Sequence, residues 1–225
     1  MKHSIVGKSI FKKFKEQHPD HVVVSYINCS AGIKALSDVI CTSSNAKVIV
    51  ESFPRDQKII FAPDKNLGKY IMKMTGRDML LWDGSCIVHE AFSIDKLIEL
   101  HKKYPDYKII AHPESEEHIL NTATYIGSTS GMINYVKAHS HEKFIVATEA
   151  GILHKMQQEV PNTSLVPAPA KEDNTCACSE CAYMKVNTMQ KLYDCLLNET
   201  PQIEVPEDIR KKALLPIERM LELSK

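Results

Sequence analysis

The chain carries no excess charge of either sign. Lysine plus arginine and aspartate plus glutamate number 28 each in 225 residues, so no global basic field is present to gather nucleic acid. Long apolar runs are also missing. Nothing approaches the roughly 18 consecutive apolar residues of a spanning helix, and the opening MKHSIVGKSIFKKFKEQ has no uninterrupted stretch of signal-peptide length. The expected setting is therefore the cytoplasm, with no membrane and no nucleic acid as partner. A disulfide framework is disfavoured as well: there are seven cysteines, an odd number, and three of them crowd into Cys176-Ala-Cys178-Ser-Glu-Cys181. Nor is there a second CxxC or a spaced histidine pair to complete a zinc ribbon around Cys178 and Cys181.

What the chain does contain is itself, twice. A shift of 86 positions sets Pro19-Asp20 on Pro105-Asp106, Val22-Val23-Val24 on Lys108-Ile109-Ile110, Tyr26 on His112 and Asn28 on Glu114. The same shift sets Thr42-Ser43-Ser44-Asn45 on Ser128-Thr129-Ser130-Gly131; one residue later, at an offset of 85, Lys58-Ile59-Ile60-Phe61 meets Lys143-Phe144-Ile145-Val146. Each copy ends near a cysteine, Cys86 and Cys181. Two registered copies imply pseudo-symmetric units facing one site.

Within each copy, short apolar strands alternate with helices. Strands are expected at 22–26, 38–41, 58–62, 79–82 and 108–111, with helices at 9–17, 32–39, 45–52, 64–74 and from an N-cap at Ser93 to Tyr104. Strands that are apolar on both faces point to an α/β fold with parallel sheets covered on each side. The division expected is 1–100, 101–185 and a helical tail over 186–225. In that tail Leu192, Leu196, Leu214, Ile217 and Leu221 are placed to cover sheet surface.

The chemistry of such sheets gathers at the carboxyl ends of the strands. Tyr26, Asn28, His112 and Glu114 fall there, and Ser43 and Thr129 precede helices. Those hydroxyls either cap helices or, with free amides, cradle a phosphate or carboxylate; their recurrence in register favours the cradle. Tyr26 is a candidate acid or base if its hydroxyl reaches the reacting group. The nine histidines other than His112, among them His101, His139 and His141, read as mostly solvated, and Cys29, Cys41 and Cys195 as small core or helix residues. Cys178 and Cys181 read as a redox pair or half a metal site. An iron-sulfur cluster, which collects thiolates from distant segments, could instead draw on Cys86 and Cys181.

The strings SYINCSAGIKALSDVICTSSN, IIFAPDKNLGKYI, LLWDGSCIVHE, IIAHPE, YIGSTSGMI, FIVATEAGILHKM and CSECAYMKVNT together resemble the quinolinate synthase family from about residue 11 to residue 197. The resemblance implies three-layer αβα units around a pseudo-threefold axis, each giving one cysteine to a central [4Fe-4S] cluster. It implies a transferase with dehydration steps that condenses iminoaspartate with dihydroxyacetone phosphate to quinolinate, for NAD biosynthesis. An L-aspartate oxidase supplying iminoaspartate is the implied partner. By the same resemblance Cys86 and Cys181 bind iron, while Tyr26, Asn28, Ser43, His112, Glu114 and Thr129 line the substrate pocket, with Tyr26, His112 and Glu114 as proton-transfer candidates. Cys176 and Cys178 resemble extra cysteines of some members, outside the cluster, with a redox role open. The family pattern also carries a first unit with an AGCSLAD-like cysteine motif before the position of Phe11, where MKHSIVGKS stands here; the expectation is that the sequence is truncated or that this unit comes from another polypeptide. Two other readings stay open: an inactive remnant, and a metal- or anion-binding module built on CACSEC.

Overall fold

The computed structural model describes residues 8–171 and 179–225. Cys176 and Cys178 lie outside these described residues. The first half runs α1 (Lys8–Glu16), β1 (Val22–Tyr26), α2 (Ala31–Lys34), β2 (Val39–Cys41), α3 (Ala46–Glu51), β3 (Ile59–Phe61), α4 (Lys65–Thr75), β4 (Leu80–Leu81), α5 (Ile87–Glu90) and α6 (Ile94–Lys103). The second runs β5 (Tyr107–Ala111), α7 (Glu117–Leu120), β6 (Tyr125–Ile126), α8 (Thr129–Ala138), β7 (Lys143–Ala147), α9 (Ile152–Glu159) and β8 (Leu165–Pro167). Three helices follow: α10 (Ala182–Lys185), α11 (Met189–Asn198) and α12 (Glu207–Leu223). The α/β class expected from the apolar strands is what forms.

Two four-stranded parallel sheets have the same order, β2-β1-β3-β4 and β6-β5-β7-β8. Their registers also coincide. Val24 pairs with Val39 and Phe61, and its repeat partner Ile110 pairs with Tyr125 and Val146. The offset of 86 in one strand and 85 in its neighbour is thus kept residue for residue across the ladder.

Each strand sends alternate side chains to opposite faces, and both faces are apolar. In the first sheet Val24, Ile59 and Phe61 pack into one core with Ile49 and Leu67. Val23 and Ile60 face the other way, under Phe11 of α1. In the second, Ile110, Phe144 and Val146 pack against Met132, Val136 and Met156 of α8 and α9. On the opposite face Ile109, Ala111, Ile145 and Ala147 take their cover from Val88, Phe92 and Leu97 of the α5–α6 segment. A bridge from Phe92 to Ala170 pins that segment beside β8.

Local signals set the helix ends. Asp64 caps α4, accepting from the Asn66 and Leu67 amides at 2.8 and 2.9 Å, and Gly76, at φ 62°, closes it in the left-handed conformation that glycine adopts without strain. Ser93 caps α6 as expected. The tail divides. α12 returns to the first sheet and packs on α2 and β2, burying Ala213, Pro216 and Met220, with Ile217 against the same core. α11 buries none of its side chains among the described residues: Leu192 is 53% and Leu196 74% exposed, and on α12 Leu214 and Leu221 also face outward. No helix among the described residues is long and apolar enough to cross a membrane.

Phe61→Ala, which empties a fully buried site between β3 and the first core, is expected to lower the unfolding free energy by about 3–5 kcal/mol in urea titrations. Leu196→Ala on the exposed α11 is expected to stay within about 0.5 kcal/mol of the parent. Equal effects would contradict this assignment of buried and exposed helices.

Candidate functional site

The two sheets meet at their carboxyl ends, so the segments that leave the strands converge. β1 ends at Tyr26, and β5 runs into His112 and Glu114. Asp64 follows β3, Thr148 follows β7, and the turn after β4 leads to Cys86 and His89. His89, His112 and Glu114 are buried, at 6%, 4% and 8% exposure. Glu114 is central. Its Oε2 lies 3.2 Å from His89 Nδ1, and its backbone carbonyl accepts from Asn66 Nδ2 at 3.2 Å. The other imidazole nitrogen of His89, Nε2, sits 3.1 Å from Thr148 Oγ1. His112 stacks on His89 with ring centroids 4.7 Å apart and receives the Glu114 backbone N–H on its own Nδ1 at 3.3 Å. The neutral His112 ring therefore carries its proton on Nε2.

Charge follows from these contacts. Burial alone would keep His89 neutral, but the Cys86 thiol and the Glu114 carboxylate beside it push its ring up to about 10. Burial likewise works to raise the Glu114 and Cys86 pKa values; His89 overcomes it in both, and both lie below their ordinary values. His112 is pushed down to about 4, by burial first and by the charge of His89 second. Asp64 goes up to about 7, by burial and by repulsion from Glu114. The Tyr26 hydroxyl is raised well above the phenol range by burial and by Glu114, with hydrogen bonding to Ser43 acting against them. Although 3.2 Å separates His89 Nδ1 from Glu114, the alignment is not that of a hydrogen bond, and Nδ1 is a buried nitrogen without a directional partner.

The two cysteines occupy equivalent settings. Cys86 opens α5 and Cys181 opens α10, each at the N-cap position. The Cys86 amide donates to Asp64 Oδ2 at 2.8 Å, and the Cys181 amide to Glu149 Oε1 at 3.3 Å. Asp64 and Glu149 are themselves related by the offset of 85. Both cysteines pack against the same apolar cluster, which includes Val88, Ile109 and Ala147. Among the described residues, Cys86, His89 and Glu114 form one group with a thiol, an imidazole and a carboxylate all within 4.8 Å of one another, a set able to hold a metal ion.

The expected site residues thus separate into two groups. Tyr26, Ser43, His112, Glu114 and Cys86 are joined by the contacts above. Asn28 and Thr129 are exposed at the same strand ends, and no described contact ties them to Glu114. In the hydroxyl loops, Asn45 Oδ1 accepts from the Thr42 amide and hydroxyl, whereas Ser128 caps α8 and Thr129 is its first residue. Sequence reasoning missed His89, Asp64, Asn66, Thr148 and Glu149. His89 was expected among solvated histidines; it is buried because α5 packs against the second sheet.

The two stacked histidines titrate in opposite senses. The folded pKa of His112 is depressed, so its contribution to stability is present above its ordinary value of 6.5 and is lost as pH falls through about 4. That of His89 is raised, so its contribution is present below 6.5 and is lost as pH rises through about 10. In ¹⁵N spectra of the imidazoles at pH 8, His89 is expected doubly protonated and His112 neutral with the proton on Nε2. A neutral His89 or a charged His112 would contradict the electrostatic assignment.

The family model described as quinolinate synthetase A protein matches residues 1–222. The quinolinate synthase of Microcystis aeruginosa is 59% identical over 214 residues, covering 95% of this chain and 66% of that protein. That of Gloeothece citriformis is 58% identical over 215 residues, 96% of this chain and 66% of the relative; that of Chloroherpeton thalassium is 58% identical over 217, 96% and 67%. The chain therefore spans about two thirds of the length of these relatives. With a family match along nearly its whole length and the paired sheets converging on Glu114, this chain belongs to the quinolinate synthetase A family.

Proposed function

We propose that this chain contributes to a quinolinate synthase, which condenses iminoaspartate with dihydroxyacetone phosphate to form quinolinate for NAD biosynthesis. The observation that carries the proposal is the buried Glu114–His89–Thr148 array stacked on His112, in a chain of this family. We read 1–100 and 101–185 as the two αβα repeats and 186–225 as the helical tail. An L-aspartate oxidase is the expected supplier of iminoaspartate. The third cysteine of the family pattern would come from the remaining third of the relatives' length.

The residues present fit a [4Fe-4S] cluster. Cys86 and Cys181 stand at matching positions, their amides held by matching carboxylates, and both flank one apolar cluster that keeps water from that side. When bound, the cluster would supply an iron Lewis acid that assists loss of water.

The chain's own side chains handle protons. Ring formation releases water and phosphate, so hydroxyl leaving groups need an acid and carbon-bound hydrogens need a base. His112 remains neutral with Nε2–H available for donation, and Tyr26 remains a phenol at any working pH, so both suit the acid role. Glu114 remains ionised under burial and is the candidate base, paired with the charged ring of His89, whose Nε2 faces the Thr148 hydroxyl. Both substrates are anionic. Asn28, Ser43 and Thr129 at the strand ends offer neutral donors for carboxylate or phosphate.

In the enzyme that includes this chain, Glu114→Gln and Tyr26→Phe are each expected to lower kcat for quinolinate formation by about 10²-fold or more, with unchanged far-ultraviolet dichroism. Thr129→Ala should chiefly raise KM. Parent-like turnover in all three variants would remove them from the pocket. For the cofactor, anaerobic reconstitution is expected to load iron and sulfide in the parent and not in a Cys86→Ala, Cys181→Ala double variant, while Cys195→Ala loads normally.

A further inference from the structure

We propose that Cys86, His89 and Glu114 form a site for one divalent transition-metal cation of the zinc or ferrous class, and that this occupancy excludes the polynuclear cluster. The site itself stands on geometry; only the exclusion rests on the proposed role of Cys86 in holding the cluster.

The first observation is spacing. Ligand bonds of 2.0–2.3 Å in a tetrahedral site put donor atoms roughly 3.3–3.6 Å apart. His89 Nδ1 and Glu114 Oε2 are already 3.2 Å apart, close to such an edge, and all three donors lie within 4.8 Å of one another. One side chain must move inward by about an ångström to reach that geometry. Cys86, half-buried at the head of a four-residue helix, is the one placed to do so.

The second observation is the buried Nδ1 of His89. It has no directional hydrogen-bond partner, and buried polar atoms are seldom left so. A cation between Nδ1 and Oε2 satisfies both atoms, whereas a proton there is poorly aligned. The ring is already turned for ligation, with Nε2 engaged by Thr148 in the manner of an outer-shell partner. Similar supports hold the other two: the Cys86 amide is fixed by Asp64, and the Glu114 backbone by Asn66 and His112.

The donor set defines the ion. One sulfur, one imidazole nitrogen and one carboxylate oxygen favour a borderline cation over calcium or magnesium, which prefer all-oxygen shells. Three protein ligands leave a fourth position open.

The test uses metal-free, cluster-free protein in a Cys176→Ser, Cys178→Ser background, titrated anaerobically with Co²⁺ as the probe and then displaced with Zn²⁺. The expected result is one Co²⁺ per chain, with thiolate charge-transfer absorption in the near ultraviolet and strong four-coordinate bands in the visible. Cys86→Ser should abolish the charge-transfer band. His89→Gln and Glu114→Gln should each weaken binding at least tenfold, and Cys181→Ser should change neither stoichiometry nor affinity. Absence of Co²⁺ binding, a charge-transfer band that survives Cys86→Ser, or loss of binding in Cys181→Ser would overturn the site; thermal melts verify that each variant is folded. For the exclusion, Zn²⁺-loaded protein is challenged with iron and sulfide, and iron uptake should fall at least tenfold. Full iron uptake with one Zn²⁺ per chain retained would leave the cation site standing and overturn the exclusion, and with it the assignment of Cys86 to the cluster.

Discussion

A carboxylate buried where two sheets meet is the constraint on which the site depends. Left alone, Glu114 would take up a proton or draw in water, because an isolated charge is strongly disfavoured in such surroundings. His89 prevents this. Its positive ring holds Glu114 and Cys86 below their ordinary pKa values and adds to the burial that keeps its stacked neighbour His112 neutral. Protonation on two segments of chain, the one carrying Cys86 and the one carrying His112 and Glu114, is thereby biased by one imidazole, which itself contacts Thr148 after β7 of the second sheet. The group is coupled: burial sets the direction for His112, and the neighbouring groups set it for His89, Glu114 and Cys86.

The repeat supplies the frame and divergence supplies the function. Both units use the same strand order, the same register and the same clamp of a carboxylate on the amide of a cysteine. Between the frames the contents differ. Where the first unit ends its leading strand in Tyr26, the second places His112, and the position of Asn28 is taken by the buried Glu114. A symmetric scaffold thus presents an asymmetric set of acids and bases to one space.

Strands were legible because they are apolar on both faces, and the register was legible because the repeat preserves it. Tyr26, His112 and Glu114 could be found because each sits at or just past a strand end in matching register. Cys86 and Cys181 stood out because each closes a copy, and the structure sets both at helix N-caps with their amides held by carboxylates. His89 could not, since a histidine three residues after a cysteine carries no signal of its own; its burial arises only when α5 lies on a sheet formed by residues that come later in the chain. Asp64 and Glu149 left one signal, carboxylates at the same repeat offset, but a conservative acid exchange in a capping position is weak by itself. The amphipathic pattern of α11 suggested burial, and its leucines are exposed; periodicity reports a two-sided helix without saying what, if anything, covers the apolar side.

The return of α12 to the first sheet makes the chain cross between the units twice. It leaves through the α5–α6 segment and comes back after α11, where Ser224 receives the Asn45 amide and Arg219 lies over Phe53. A cut between α11 and α12 would leave α12 held to the first sheet by packing alone, so its retention there would measure that interface apart from the connectivity of the chain.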